Sequence, residues 1–268
     1  MITIDFNYKR FGITRNARFE APQRWNEMNE EQFLLLAHQA QGAIIPEQKF
    51  FRVMFGAPKY LVRRLDPWYK YVLERKANYL RDKKAMSNHF FIQKIGKLYA
   101  PMDMLMGVSL QQFMQVDTFY EKAANELGTA VTPNLDMMVA SLYLKKNQSY
   151  SVEENDRKHK LVDTDENLRI VSKVGQDKKW AIYMNWTMIK NWLSKAYSLV
   201  FPVADEEQSK NNPQKATPWL EIFDNFVGDD IAHAEAYKTM ESTDAFRIMQ
   251  HRVKEYQLGK LRSKGYAK

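Results

Sequence analysis

The sequence predicts a mainly α-helical protein with a minor β element near its N-terminus and a small three-helix unit at its C-terminus. Apolar residues recur at helical spacing over most of the chain, as at Leu135, Met138 and Leu142. Residues that favour helix starts precede these periodic segments, and glycine follows several of them. Residues 2–8 instead alternate apolar and polar side chains, which indicates a short half-buried strand.

The N-terminal third is predicted to combine this strand with three helices. The segment after the strand, as far as Trp25, is predicted to be irregular. Asn29 and Gln32 form a cap-like pair before the first helix, and an Asp-Pro dipeptide that begins at Asp66 opens the third. Residues 88–95 are apolar and β-prone, so they could pair with the N-terminal strand in a small two-stranded sheet or as part of one.

Residues 99–144 are predicted to form two helices with well-defined starts. Ser109 and Gln112 match the S-x-x-Q capping box, in which the hydroxyl and the amide each satisfy a backbone N–H. Thr132 precedes a proline in the first-turn position, which tolerates a missing N–H. Both helices are rich in methionine and aromatic residues, and Asp117 is the only charge on the apolar face of the first.

The C-terminal part of the chain is predicted to hold a long central helix followed by a separate unit. Asp177 caps an apolar helix that ends near Phe201, and a helix that is apolar almost all round belongs at the centre of a fold. Polar residues dominate the next segment. The predicted division is a helical main domain at 1–201, a linker at 202–216 and a C-terminal satellite with a basic tail at 217–268. The satellite is either a separable docking module or the completion of the main core.

Composition restricts the class of protein. The 268 residues, 45% of them hydrophobic, suffice for a sizeable core. The absence of cysteine excludes disulfides, thiolate chemistry and cysteine-ligated metals. No segment approaches the roughly 20 apolar residues that a membrane helix needs, and the N-terminus lacks a signal-peptide pattern. These features fit a cytosolic protein or a particle assembled in the cytosol. The formal net charge of +8 allows contact with nucleic acid or an acidic partner.

One group of side chains is a candidate metal site, formed by Asp229, Asp230, His233 and Glu235. Asp230 and His233, at i and i+3, share a helix face. Glu235 lies two residues after His233 and faces away, so the turn would have to be distorted for Glu235 to reach the same metal. Two Asp residues before a helix are more simply its N-cap and the partners of its dipole. The sequence shows no phosphate-binding glycine loop and no catalytic signature. We therefore predict no enzyme activity, no catalytic residue, no bound metal and no cofactor.

The methionine-rich and aromatic helix faces are a candidate partner surface. Such faces are usually core, but methionine adapts to irregular contacts, so a plastic binding surface is the sharper interpretation. The candidate residues are Leu110, Phe113, Met114, Tyr120, Met137, Met138, Trp219 and Phe223.

The alternative function is that of a nucleic-acid-binding accessory protein, using the basic and aromatic region 60–84. Basic side chains interleaved with stacking aromatics are what single-strand binding requires. Acidic residues interrupt this charge, and the aromatics also recur at core spacing. The candidate contacts are Arg63, Arg64, Arg75, Arg81, Lys83 and Lys84.

Three parts of the chain carry a resemblance to a known family. They are the aromatic and acidic lead into a helix at 19–33; the segment 101–105 with Phe113, Asp117, Tyr120, Leu135 and 140–143; and the segment 219–258 with its Gly-Asp-Asp at 228–230. The chain resembles an uncharacterised family from tailed phages and prophages of Bacteroidetes, found among structural and tail-assembly proteins. The resemblance implies a non-enzymatic protein in the virion, or in the host cytoplasm during assembly. Its partners would be other phage structural or assembly proteins, or further copies of itself, and no membrane.

Overall fold

The computed structural model describes residues 2–63, 85–145, 164–202 and 218–265, together with Pro67, Trp68, Tyr71 and Arg75. Ten α-helices and two small sheets in these residues confirm the predicted mainly α fold with its minor N-terminal β element. The chain forms two compact units: unit 1 comprises 1–87 and 175–188, and unit 2 comprises 88–174 and 189–268. The helix predicted from Asp66 lies mostly outside the described residues, as does the linker predicted at 202–216.

The described residues of unit 1 form a two-stranded ribbon and three helices. The strand predicted at 2–8 is confirmed as part of a longer one, whereas the irregular segment predicted to follow it is wrong for residues 13–21, which form the second strand. The elements are β1 (Ile2–Arg10), β2 (Ile13–Ala21), α1 (Glu30–Ala40), α2 (Glu47–Phe55) and α3 (Lys59–Val62), and the unit also takes the first part of a long helix, α7.

The turn between the two strands explains why β2 was not predicted. β1 and β2 pair antiparallel from Ile2 opposite Ala21 to Arg10 opposite Ile13, which leaves a two-residue Phe11-Gly12 turn. Both turn residues have positive φ, 52° and 77°, as a type I′ turn requires. The left-handed conformation costs a residue other than glycine about 1–2 kcal/mol. Phenylalanine is therefore unusual at this position, and the turn lacks the Asn-Gly or Asp-Gly pair from which a hairpin is usually predicted.

A capping box begins α1 as predicted and also joins α1 to α2. The Gln32 backbone N–H donates to Asn29 Oδ1 at 2.9 Å, and the Asn29 N–H donates to Gln32 Oε1 at 3.0 Å. The amide nitrogen of Gln32 then donates to the carbonyls of Val53 and Met54, near the end of α2. One buried glutamine thus satisfies polar groups at the ends of two helices. Around it lies the apolar core of unit 1, which includes Phe33, Leu36, Phe51, Met54, Leu61 and Trp186.

Unit 2 combines a small sheet with helices from four parts of the chain. Its strands pair antiparallel in the order β3-β4-β5, so residues 94–95 pair within this sheet and not with the N-terminal strand. The tight turn at Gly96, where φ is 57°, instead pairs β3 with β4 directly. The elements are β3 (Lys94–Ile95), β4 (Leu98–Tyr99), α4 (Leu110–Ala123), α5 (Pro133–Leu142), β5 (Leu144–Lys145), α6 (Thr164–Val171), the last part of α7 (Gln176–Ala196), α8 (Trp219–Val227), α9 (Ala234–Thr239) and α10 (Ser242–Gly265).

Buried amide side chains terminate α5. The Gln112 amide donates to the Ser141 carbonyl at 2.8 Å, and the Asn167 amide donates to the carbonyls of Ala140 and Tyr143 at 3.0 and 3.2 Å. These bonds satisfy carbonyls that have no partner inside the helix. They also tie α4 and α6 to α5. Of the capping box predicted at the start of α4, the structure shows the half in which the Ser109 hydroxyl accepts from a backbone N–H.

A distant carboxylate caps the start of α5 in place of the predicted threonine. Thr132 occupies the N-cap position, but its hydroxyl makes no capping bond. The carboxylate of Glu126 instead accepts from the backbone N–H groups of Asn134 and Leu135, both at 3.0 Å. A negative charge is favourable here because exposed N–H groups and the helix dipole make a helix N-terminus positive.

Helix α7 begins at Gln176, one residue before the predicted cap, and ends at Ala196. Asp177 therefore lies in its first turn. The Asp177 carboxylate is 3.0 Å from Nε2 of His38 at the end of α1. The residue predicted as a cap thus helps to hold two helices of unit 1 together, which a local sequence pattern does not reveal.

The C-terminal helices pack against α4 through a group of aromatic rings. The ring of Phe246 lies 4.8 Å from that of Phe113 and 4.9 Å from that of Phe201, measured between centroids. Trp219 lies 5.2 Å from Phe113. Residues 218–265 thus belong to the same compact unit as α4. These contacts favour the interpretation in which the predicted satellite completes a core. Its last helix continues into the predicted basic tail as far as Gly265.

Replacing Glu126 by alanine should destabilise the protein. The change leaves the N–H groups of Asn134 and Leu135 without their acceptor, so we expect the free energy of unfolding to fall by about 1–3 kcal/mol. Urea denaturation followed by circular dichroism measures this loss. The Glu126→Gln variant keeps one acceptor oxygen and should lose less. The matched control is Glu235→Ala at an exposed ion pair. Equal losses in the two alanine variants would contradict the cap.

Deleting residues 209–268 should abolish cooperative folding of unit 2. The deletion removes Trp219 and Phe246 and so uncovers the buried ring of Phe113. We expect insoluble protein, or protein that keeps helical circular dichroism but loses its near-ultraviolet signal. Deleting only 261–268, at the end of α10, is the control and should leave folding cooperative. A soluble fragment 1–208 that unfolds sharply would instead support a separable docking module.

Candidate functional site

Half of the predicted partner surface is buried and cannot be a docking surface. Leu110, Phe113, Met138 and Phe223 lie inside unit 2. The prediction is corrected for these four residues, because their apolar faces pack against other helices of the same unit. Met114, Tyr120, Met137 and Trp219 are half-buried. Periodicity places residues on one helix face but does not show which neighbour covers that face.

The buried carboxylate of Asp117 explains the single charge on the apolar face of α4. Asp117 is 2% exposed. Its Oδ2 accepts from Lys190 Nζ at 3.0 Å and from Trp219 Nε1 at 2.9 Å, and its Oδ1 lies 2.9 Å from the same ammonium. That ammonium also lies 4.9 Å from the centre of the Tyr120 ring. The arrangement connects α4, α7 and α8 through one fully partnered acid.

Glu121 lies one helical turn after Asp117 and is more exposed. Burial raises the pKa of the Glu121 carboxyl, and the negative charge of Asp117 raises it further, while Lys190 at 3.9 Å opposes the shift. A carboxyl with a raised pKa beside a lysine could act as a proton donor. Structural ion pairs produce the same pattern, and the bonds of Asp117 already occupy this lysine.

The candidate metal cluster consists of local pairs. His233 Nδ1 lies 2.6 Å from Asp230 Oδ1, and the Tyr237 hydroxyl donates to Asp230 Oδ2 at 2.9 Å. The bond with His233, and then that from Tyr237, lowers the pKa of the Asp230 carboxyl. Glu235 pairs instead with Lys238 at 2.7 Å. Over the described ranges, no group of three or more His, Asp or Glu residues is arranged to hold a metal ion.

A cleft of about 540 Å³ lies in unit 1, next to the base of the ribbon. Its walls include Glu20, Glu27, Glu31 and Arg52. Glu27 accepts from the Gln23 backbone N–H at 2.7 Å, and this bond lowers the pKa of the Glu27 carboxyl. The acidic lining favours a cationic group.

An exposed loop of unit 2, residues 102–107, presents methionine side chains in a fixed conformation. We call it the Met loop. Met104 and Leu105 both have left-handed backbone conformations, with φ of 62° and 61°. The Leu105 side chain is fully buried, whereas Met104 is 48% exposed and Met106 is 40% exposed. The Met104 N–H donates to the Asn88 carbonyl at 2.7 Å, and this bond helps to fix the loop.

Helical periodicity does not reveal the Met loop as a site, because its residues do not form a regular α-helix. The signal was present as methionine at every second position around one buried leucine. In the structure the buried Leu105 lies between the exposed Met104 and Met106.

The described aromatic rings of the basic and aromatic region of unit 1 are exposed, although their spacing along the sequence also fitted a core. Trp68 is 65% exposed, and its ring lies 5.8 Å from that of the exposed Tyr71. Tyr60 is also exposed and contacts the ring of Tyr8 on the ribbon at 6.4 Å, edge to face. Of the six predicted cationic contacts, Arg63 and Arg75 are described and exposed. The others, Arg64, Arg81, Lys83 and Lys84, lie outside the described residues.

The net charge of the chain belongs entirely to unit 1. By sequence, unit 1 contains 18 basic and 10 acidic residues, whereas unit 2 contains 22 of each. The excess of +8 is therefore concentrated in the unit that also carries the exposed aromatic rings. A local excess of positive charge attracts polyanions over a distance of about one Debye length.

Fold and geometry define a mainly α protein with two exposed candidate sites, the basic and aromatic region of unit 1 and the Met loop of unit 2. Comparison with protein-family models, with curated proteins and with solved structures finds no match. The resemblance to a phage family therefore stays a hypothesis. Among the described residues, no helix combines the length and the apolar character needed to cross a bilayer.

Replacing Glu121 by glutamine should leave stability unchanged or higher at neutral pH. Because its pKa is raised in the folded protein, the folded state holds this proton to a higher pH than the unfolded chain does. The stability that this group contributes is present below the unfolded-state pKa, about 4.3, and is lost as pH rises through the folded pKa. Urea midpoints between pH 4 and 8 should show the advantage of Glu121→Gln growing with pH.

The control for this series is Glu255→Gln, which removes an exposed carboxylate with the same change in net charge. A Glu121→Gln variant that is less stable than wild type at pH 7 would contradict the argument. It would show that attraction to Lys190 outweighs burial and the charge of Asp117.

Proposed function

We propose that this chain is a non-enzymatic structural or assembly protein of a tailed phage or prophage. It acts through contacts with other particle proteins or with further copies of itself, in the virion or in the host cytoplasm during assembly. The phage context comes from the sequence resemblance. The Met loop is the observation that supports action through protein contacts.

The Met loop has the properties of a preorganised contact site. Backbone strain of about 1–3 kcal/mol per residue persists only where the surroundings enforce it. Here the buried side chain of Leu105 provides one constraint, and a hydrogen bond from the Gly107 N–H to Glu241 Oε1 at 3.1 Å provides another. The strained backbone holds Met104 and Met106 in solvent at defined positions. Methionine side chains then adapt to the apolar surface of a partner.

Mass spectrometry of purified particles and of assembly intermediates from the source tests the biological setting. A phage structural or assembly protein should co-purify with particles or their precursors in a fixed ratio to known particle proteins. A chain absent from both would contradict the proposal.

Replacing both Met104 and Met106 by glutamine should weaken assembly without unfolding the protein. Glutamine is similar in length but polar, and both side chains are exposed, so unit 2 should keep its thermal midpoint. If these two side chains are among the minority of interface residues that each cost more than about 1 kcal/mol when lost, about tenfold less of the variant should enter particles. Quantitative mass spectrometry measures the ratio. The control is Leu127→Gln, which removes another exposed apolar side chain of unit 2. Equal incorporation of both variants would contradict a role for the Met loop.

A second candidate function is nucleic-acid binding by the basic and aromatic region 60–84. The exposed rings of Tyr60, Trp68 and Tyr71, and the concentration of charge in unit 1, favour it. Salt titration separates the two mechanisms. Binding through phosphates weakens steeply with the logarithm of salt concentration, whereas apolar docking hardly responds.

A further inference from the structure

The second strand of the β1–β2 ribbon is buried at its base and exposed toward the turn. In β2, Ala21 is buried, and Phe19 and Ala17 are half-buried. The next two residues on the same face, Arg15 and Ile13, are exposed. Along β2, this apolar face is therefore buried at its base and exposed toward the turn. A two-stranded ribbon adds little stability by itself, so the fold does not account for the length of the distal half.

The tip of the ribbon presents an aromatic ring. Phe11 is 88% exposed at the first turn position, where its φ is 52°. Asparagine, aspartate and glycine suit this backbone better and are the usual residues of such turns. Folding thus favours another residue at position 11. A large exposed ring at a position where the turn disfavours it indicates a function in binding.

The distal half of the ribbon differs from its base in net charge. Residues 7–16 include Lys9, Arg10 and Arg15 and no acidic residue. Nearer the base, Arg18 is neutralised by Asp5, whose carboxylate accepts from the Arg18 guanidinium at 2.9 Å. The exposed end of the ribbon is therefore basic and carries an aromatic tip.

The ribbon is continuous with the basic and aromatic region of the same unit. Tyr8 in β1 contacts the ring of Tyr60 in α3. On the ribbon, Arg15 is the cross-strand partner of Tyr8, so the two residues share a face. Arg63 follows directly after α3 and is exposed. Aromatic and cationic groups thus extend from the turn to α3.

We infer that the distal half of the ribbon binds single-stranded nucleic acid, with the Phe11 ring stacked on a base and Arg15 on the phosphate backbone. The inference rests on the second candidate function and adds a site outside region 60–84. An exposed aromatic ring stacks on the face of an unpaired base. The bases of a duplex are already stacked on one another and do not offer such a face. The positive charge complements phosphates. A membrane surface would need a broader apolar face than Phe11 and Ile13 provide.

The test measures fluorescence anisotropy of a labelled 20-nucleotide single strand with the full chain. Phe11→Asn is the main variant, because asparagine removes the ring and suits the left-handed turn. The control is Ile44→Asn, which removes a 96% exposed apolar side chain elsewhere in unit 1. One stacked base should make Phe11→Asn bind at least about fivefold more weakly, while Ile44→Asn binds like wild type.

The Arg15→Gln variant tests the phosphate contact. For a single strand, one lost contact should reduce the slope of log affinity against log salt by about 0.7. Lys254→Gln removes one exposed charge from unit 2 and is the matched control, so its slope should equal that of wild type. An Arg15→Gln slope equal to that of the control would overturn the assignment of Arg15.

Further measurements separate this inference from the function on which it rests. If wild type binds and an Arg63→Gln, Trp68→Ala double variant loses binding while Phe11→Asn does not, the ribbon site fails and region 60–84 stands. If wild type binds no single strand, both fail. Tighter binding to a 20-base-pair duplex overturns the stacking assignment. The stacking assignment is also overturned if the protein sediments with 3:1 phosphatidylcholine–phosphatidylglycerol vesicles and this sedimentation depends on Phe11, while strand binding does not.

Discussion

The buried carboxylate of Asp117 connects three helices of unit 2. It receives hydrogen bonds from Lys190 and Trp219, and so joins α4 to the end of α7 and the start of α8. Removing one partner of a buried ion pair is far more costly than exchanging the whole pair for apolar groups, because it leaves an uncompensated charge. The aromatic rings around Phe113 pack beside this carboxylate and bring in α10. The C-terminal helices are positioned by these polar and apolar contacts together.

Elsewhere, a few buried polar side chains set where helices start and end. Gln32 joins α1 to α2. Gln112 and Asn167 donate to carbonyls at the end of α5, and Glu126 accepts from N–H groups at its start. Helices α1, α2 and α5 have only 11, 9 and 10 residues, so unsatisfied terminal N–H and carbonyl groups are a large share of their backbone polar groups. Long-range amide and carboxylate bonds meet that need and fix the packing at the same time.

The two units differ in surface chemistry. Unit 1 holds all of the net charge together with exposed aromatic rings, whereas unit 2 is neutral and presents methionine on a strained loop. Positive charge with stacking rings suits a polyanion, and adaptable thioethers suit an apolar protein surface. The two proposals therefore assign nucleic acid to one unit and protein partners to the other. A protein with both activities would be suited to joining nucleic acid to a protein assembly.

Local sequence determined the mainly α class, the strand at the N-terminus and the cap at Asn29, because periodicity and capping act within a few residues. Only the tertiary structure decided the rest. Asp117 looked like an isolated charge until Lys190 and Trp219 were placed beside it. Glu126, rather than Thr132, caps the start of α5 because the fold places its carboxylate there. Which methionine and aromatic side chains reach solvent also depended on tertiary packing, because burial is decided by neighbours that are distant in sequence.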